Sequence, residues 1–404
     1  MKRVFLSLIC VLGLIPQVSA QEMLALARVD PAASTVEDGW FGRSTLRLHL
    51  SQGVPFRVFT LDDPARLIVD FREADFSGVS ESDLLAEPGR IAALRFGAFQ
   101  PGWSRLVAQL SEPMLPVEIG MPVGRDDGRA VLEISLKSVA PEDFAAAAGA
   151  PADPNWAPAF LQPAPPPDPQ DDRFVVVIDP GHGGIDPGAE AEGVAEKDLM
   201  LSFARLLADT LRRAGVEAIL TRDDDIFVAL ESRVAIAHQA RGDLFLSLHA
   251  DSLSEGGAKG ATVYTLSEEA SDAATEHLAA RHDRSDIIAG ADLTGSDDQV
   301  AGVLLDLARQ ETEPRSEALA QTLAAGMKEA GGPMNRRPLR RAGFSVLKSA
   351  DIPSVLVEIG FLSSKRDLAN LRDPVWRQGM AEGMARGILR WRDEDAARAA
   401  LVRQ

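Results

Sequence analysis

The chain has 404 residues, more than a single hydrophobic core usually serves, so at least two domains are expected. Its 60 acidic residues outnumber 42 basic ones, for a formal charge of −18, which argues against nucleic acid or an anionic membrane as partner. A single cysteine, Cys10, excludes a disulfide framework.

In chain order, residues 1–20 combine basic Lys2 and Arg3, an apolar stretch from Val4 to Ile15 and the small-residue end Val18-Ser19-Ala20. This predicts a cleaved signal peptide and export, and Cys10 would leave with it. Loss of Lys2 and Arg3 leaves 40 basic against 60 acidic residues, net −20. No later stretch approaches the roughly 18–20 apolar residues that a spanning helix needs, so no transmembrane anchor is expected.

Residues 24–139 carry short alternating runs, among them STLRLHLS, FRVFTL, ARLIVDF, IAALRFGAF and AVLEISLK, separated by turn residues. These predict a small all-β sandwich with no catalytic constellation, and His49 within it reads as structural. Residues 140–172 are rich in Ala, Pro and Asp and predict an extended, semi-stiff linker.

From 173 to 392 the pattern changes to α/β, a twisted, mostly parallel sheet flanked by helices. FVVVID (174–179), DLFLSL (243–248) and SVLVEI (354–359) are apolar, β-branched runs of the kind buried on both faces. His182 lies on the loop after the first, His249 follows the second and Glu358 sits at the end of the third. In open α/β sheets ligands gather beyond the carboxyl ends of strands, so these positions can converge despite their separation. Leu199, Phe203, Leu206, Leu207 and Leu211 recur at helical spacing up to Gly215, which places Glu196 at the start of that helix. Glu196 reads either as a complement to the helix dipole or as a ligand.

Two imidazoles and one carboxylate form a common three-ligand set for a catalytic zinc, and His182, Glu196 and His249 supply it. Small residues flank both histidines, Gly181, Gly183 and Gly184 at one and Ala250 at the other. A glutamate ending an apolar run is either paired with a cation or functional, and Glu358 is taken as functional. The pattern predicts hydrolysis.

Several motifs, in order, resemble the zinc-dependent N-acetylmuramoyl-L-alanine amidases of the cell-division type: VVIDPGHGGIDPGA (176–189), EKDLML (196–201), TRDDD (221–225) with Leu230 and Arg233, LFLSLHAD (244–251), and FSVLKSADIPSVLVEIGFLSS (344–364). The resemblance spans 173–392. It implies that His182, Glu196 and His249 hold Zn2+, that Glu358 is the catalytic acid or base, and that the bond cut joins N-acetylmuramic acid to the L-alanine of peptidoglycan stem peptides. It further implies a periplasmic enzyme that splits septal wall and separates daughter cells. The family usually has Asn where this chain has His238, Asp251 and Ser364; Asp251 could pair with an arginine or an outer group of the metal site, and His238 is expected to pack or cap. VFTLDDPARLIVDF (58–71) and SRLVAQLSEP (104–113) are similar to an AMIN domain, a wall-targeting module.

About fifty residues, 267–314, intervene between the strand GATVYTL and a helix expected over 316–330, with helical patterns at 270–282 and 300–309. Long insertions of this kind are functional or disordered. Similar insertions in division amidases are autoinhibitory helices displaced by an activator with a LytM-type domain. The blocking residue would fall on His282, with Glu276 or Asp283 as substitutes, although His282 also reads as an ordinary surface residue. Two other functions fit the metal set: a zinc peptidase cutting within stem peptides, and a wall-binding adaptor with a degenerate catalytic unit.

Overall fold

The computed structural model describes residues 26–72, 74–100, 102–124, 127–151, 173–253, 258–267, 269–288, 302–348 and 351–402; the side chains of 100, 283–288, 302–311 and 399–402 lie outside the described residues. The expected signal peptide and most of the expected linker also fall outside them. No helix among the described residues is long and apolar enough to cross a membrane.

Nine strands build the N-terminal part: β1 (Ala27–Gly39), β2 (Arg43–Leu50), β3 (Phe56–Leu61), β4 (Arg66–Arg72), β5 (Ala74–Asp75), β6 (Ile91–Gln100), β7 (Trp103–Leu110), β8 (Met114–Gly120) and β9 (Ala130–Ser138), with a short helix α1 (Glu81–Leu84). They form two sheets, β5-β1-β2-β9-β8 and β3-β4-β7-β6. Alternation explains the packing: Leu46, Leu48 and Leu50 of β2 and Leu132, Ile134 and Leu136 of β9 point inward onto Leu67, Val69 and Phe71 of β4. The structure corrects the start of the expected linker. Pro141–Ala147 is a helix, α2, whose Phe144 is fully buried in the sandwich core. Proline at the first helical position and two acids in the first turn favour that helix locally.

The second part is a three-layer α/β unit. Its six-stranded sheet contains β10 (Val175–Pro180), β13 (Glu217–Leu220), β14 (Leu244–His249), β15 (Ala261–Leu266), β16 (Met334–Ala342) and β17 (Ser354–Glu358), in the order β13-β10-β14-β17-β15-β16. All neighbours are parallel except β15 and β17. A small hairpin, β11 (Glu190–Ala191) and β12 (Val194–Ala195), precedes helix α3 (Glu196–Arg213). The remaining helices are α4 (Leu230–Gln239), α5 (Ala273–Ile288), α6 (Gly302–Glu329), α7 (Lys365–Arg372) and α8 (Pro374–Val402).

The unbroken apolar strands pack on both faces, as their composition demands. Val176 and Ile178 of β10 meet Phe203 and Leu207 of α3, within a core shared with α6 and α8. Val175 and Val177 meet the opposite layer, with Ala237 of α4 and Leu278 of α5. The two helical patterns expected around Pro314 differ from what is found: α6 runs continuously from Gly302 to Glu329 with Pro314 inside it. Packing against α8 sustains it, and the two helices cross where Gly326 faces Gly383 so closely that a Cβ would collide with backbone.

Candidate metal centre

The centre forms where three strands end side by side. Parallel pairing of β14 and β17 sets His249 directly beside Glu358 as its register partner. His182 follows β10 and adopts φ 60, a left-handed backbone that a non-glycine residue keeps only when its surroundings hold it. Arg233 donates to the carbonyl of His182 at 2.9 Å, Arg222 donates to that of Gly181 at 2.9 Å, and Lys197 donates to that of Gly184 at 2.8 Å. Asp179, buried at the end of β10, accepts from Arg233, Thr221 and Ser247. Glu196 is the first residue of α3 and is fully buried.

Donor atoms of His182, Glu196 and His249 all lie within 4.8 Å of one another. The Nδ1 of His182 is 2.7 Å from Asp186 Oδ2, so a neutral ring donating there presents a bare Nε2. That Nε2 is buried, 3.3 Å from Glu196 Oε2, and makes no hydrogen bond. Glu196 also accepts from the backbone of Ala189 at 2.9 Å and of Ala250 at 2.8 Å, which fixes its orientation. Gly188 (φ 68) leaves the room: a Cβ there would lie 2.5 Å from His182 and 2.8 Å from Glu196.

Charges are strongly coupled. Burial opposes protonation of His182, yet Asp186 and Glu196 outweigh it and hold the ring well above its ordinary pKa. His249 moves oppositely, to about 4, because of burial and the neighbouring His282 and His182 rings. Burial raises Glu196, but His182 draws it well below the usual carboxylate range. Glu358 is pushed well above that range by burial, then by Asp251 and Glu196. Two carboxylates thus draw positive charge onto rings that cannot both carry it, and a divalent cation meets the same demand.

A second group abuts the first. Asp251, His282 and Glu358 also bring donor atoms within 4.8 Å of one another. His282 comes from α5, with Nε2 3.2 Å from Asp251 Oδ2 and 3.8 Å from Glu358 Oε1; its ring centre is 4.1 Å from that of His249. Arg281 also pairs with Asp251 and donates to the carbonyl of Ser252 at 2.8 Å. Helix α5 therefore lies across the centre, leaving a cavity of about 20 Å³ beside His182, His249 and His282, space on the order of one water.

The expected site residues thus converge, with one correction. Glu276 is exposed in the first turn of α5 and lines a surface depression with Glu269 and Asp272, so it does not reach the centre. The Asp283 side chain lies outside the described residues. Sequence reasoning missed Asp186, Asp179 and Arg222; the signal for the two aspartates was their place beside the glycine-rich loop, and Arg222 lies apart from it in the charged run 221–225. His238 pairs with Asp351 at 2.7 Å, and Ser364 caps α7.

The sequence family described as Amidase_3, N-acetylmuramoyl-L-alanine amidase, matches residues 176–390. The amidase AmiC of Neisseria meningitidis serogroup B is 31% identical over 369 residues, covering 86% of this chain and 86% of its own. AmiC of an Escherichia coli strain is 29% identical over 392 residues, covering 92% of this chain and 89% of its own. The catalytic domain of CwlV, an N-acetylmuramoyl-L-alanine amidase from Bacillus (Paenibacillus) polymyxa, is 27% identical with a TM-score of 0.41, covering 55% of this chain and 98% of that one. The chain is a member of the Amidase_3 family of N-acetylmuramoyl-L-alanine amidases.

Proposed function

We propose that this chain hydrolyses the amide between the lactyl group of N-acetylmuramic acid and the L-alanine of peptidoglycan stem peptides, using zinc held by His182, Glu196 and His249. The observation that carries the reading is the buried Nε2 of His182, which makes no hydrogen bond, within a converged set of two imidazoles and one carboxylate. A bound zinc supplies there a water of pKa about 7 and a Lewis acid for the amide carbonyl.

Glu358 handles the protons. Its Oε2 accepts from the backbone of Asp251 at 2.9 Å, which aims the carboxylate. Its Oε1 is buried with no hydrogen-bond partner and is free to take a proton from the attacking water and pass it to the leaving nitrogen.

In this reading α5 is a closed gate. A cavity of about 20 Å³ cannot admit a muropeptide, and the clasp of Arg281 and His282 on Asp251 keeps the helix down. His282 blocks by covering Glu358. An activator with a LytM-type domain would lift the helix. The N-terminal sandwich would be an AMIN wall-targeting domain, and residues 1–20 an export signal to the periplasm, where the enzyme splits septal wall.

The test is mass analysis of products from purified sacculi, with and without chelator, using the wild-type chain and Asp251→Asn. Free stem peptide and naked glycan, lost on chelation, are expected. Cuts within the stem peptide, or products that persist without metal, would overturn the reading.

A further inference from the structure

The second face of the β3-β4-β7-β6 sheet is buried too. Ile68 of β4 and Val107 of β7 form one apolar cluster with Ile185 and Phe227 of the α/β unit. Ile185 lies between His182 and the Asp186 that orients it. At the edge of this contact two backbones touch: a Cβ on Gly97 would lie 3.1 Å from the carbonyl carbon of Gly184, and one on Gly184 would overlap the Ala98 carbonyl. That carbonyl accepts from the Ile185 N–H at 3.2 Å and from the Phe227 N–H at 3.4 Å, while Phe99 stacks on Phe227 with ring centres 5.6 Å apart.

The other polar backbone contacts of the His182 loop named above are made inside the α/β unit. Gly183 and Asp186 bond each other, and Gly184 N–H donates to Asp225 at 2.7 Å. The Ile185 N–H alone among these looks to the sandwich. The loop carries a metal-site histidine in a left-handed backbone, which needs support from all sides.

We infer that the N-terminal sandwich clamps the His182 loop: docked through Ala98 and Phe99 onto Ile185 and Phe227, it sets how firmly the centre retains its metal. This rests on the reading of His182 as a zinc ligand. Ala98 and Phe99 are positioning residues, which reach the centre only through Ile185 and Phe227. Whatever loads or releases the sandwich thereby acts on metal retention at a distance.

The test measures release of zinc from the full chain to a chromogenic chelator. The double variant Val107→Asp/Phe99→Asp places charges in the cluster on the sheet face opposite the sandwich's inner core. Release about tenfold faster than wild type is expected, within the range that lost outer contacts cost a metal site. Ile119→Asp, on exposed β8, should release at the wild-type rate. A double variant that holds zinc as wild type does overturns the clamp. Should the double variant misfold, a protease site inserted between 152 and 172 separates the parts without altering either. Release from the cut chain should then quicken on dilution, and dilution-independent release at the uncut rate overturns the clamp. A wild-type chain that binds no zinc would instead overturn the metal reading itself.

Discussion

Replacing Glu358 by Gln should move activity and stability in opposite directions. The substitution keeps the shape and leaves a carbonyl oxygen to accept the Asp251 N–H, now at 2.9 Å. It removes the proton acceptor. Positioned acid–base groups contribute roughly 10²–10⁴-fold, or about 3–5 kcal/mol of barrier, and the buried Oε1 that would carry the proton makes no hydrogen bond. Stability runs the other way. The folded-state pKa of Glu358 lies well above its ordinary value, so the folded chain holds a proton that the unfolded chain releases. Its contribution is therefore lost as pH rises from the unfolded pKa through the folded one. In metal-stripped protein, Glu358→Gln should raise the melting temperature at pH 8 relative to the parent and change it little at pH 4. Activity must be read in an Asp251→Asn background, where opening of α5 does not mask the chemical step. A Gln variant that releases dye-labelled sacculi fragments within threefold of its parent would refute the assignment, and a lower melting temperature at pH 8 would refute the electrostatic argument.

Asp251→Asn removes the carboxylate shared by Arg281 and His282; because Arg281 is 40% exposed, the pair is screened, and basal hydrolysis should rise only by roughly 3–10-fold, with an unchanged rate counting against the clasp. Gly188→Ala, strained by φ 68 and by contact with both His182 and Glu196, should weaken zinc binding by about 10–100-fold in chelator competition, and undiminished affinity would refute the crowding argument. Asp186 is held at about 2, where burial would raise it and His182 lowers it more, so its stabilisation is present above the ordinary carboxylate pKa and is lost as pH falls towards 2. In metal-stripped protein Asp186→Asn should flatten that acid limb by about 2 kcal/mol, and an unaltered denaturation profile between pH 4 and 2 would contradict it.

Much of the centre was legible because its strands announce themselves. FVVVID, DLFLSL and SVLVEI are too uniformly apolar to face water, and each delivers a chemical group at its end. Glu196 was legible as a helix start, though nothing local to it distinguishes a ligand from a dipole partner. Asp186 escaped because an acid in a glycine-rich turn looks like turn chemistry; only the fold shows it 2.7 Å from His182. Arg222 sits in a run of charges that suggests solvent, yet it is buried under the metal loop with its carbonyl partners. ARLIVDF reads in the sequence as one of the alternating runs of a sandwich. Its continuous apolarity carried a further message, since β4 is covered on both sides. Pro314 misled differently: proline usually marks a break, but contact along α8 outweighs one missing hydrogen bond.

The last residues of β14 and β17 share one rung of the sheet. Because His249 and Glu358 sit side by side as register partners, the gap between the proposed metal ligand and the proposed proton carrier is ruled by the spacing of the sheet itself. Surface loops can lengthen, shorten or tilt without altering that interval. A slip of one residue between these strands would turn one of the two groups away from its companion, so loss of register would abolish turnover before it unfolded the molecule.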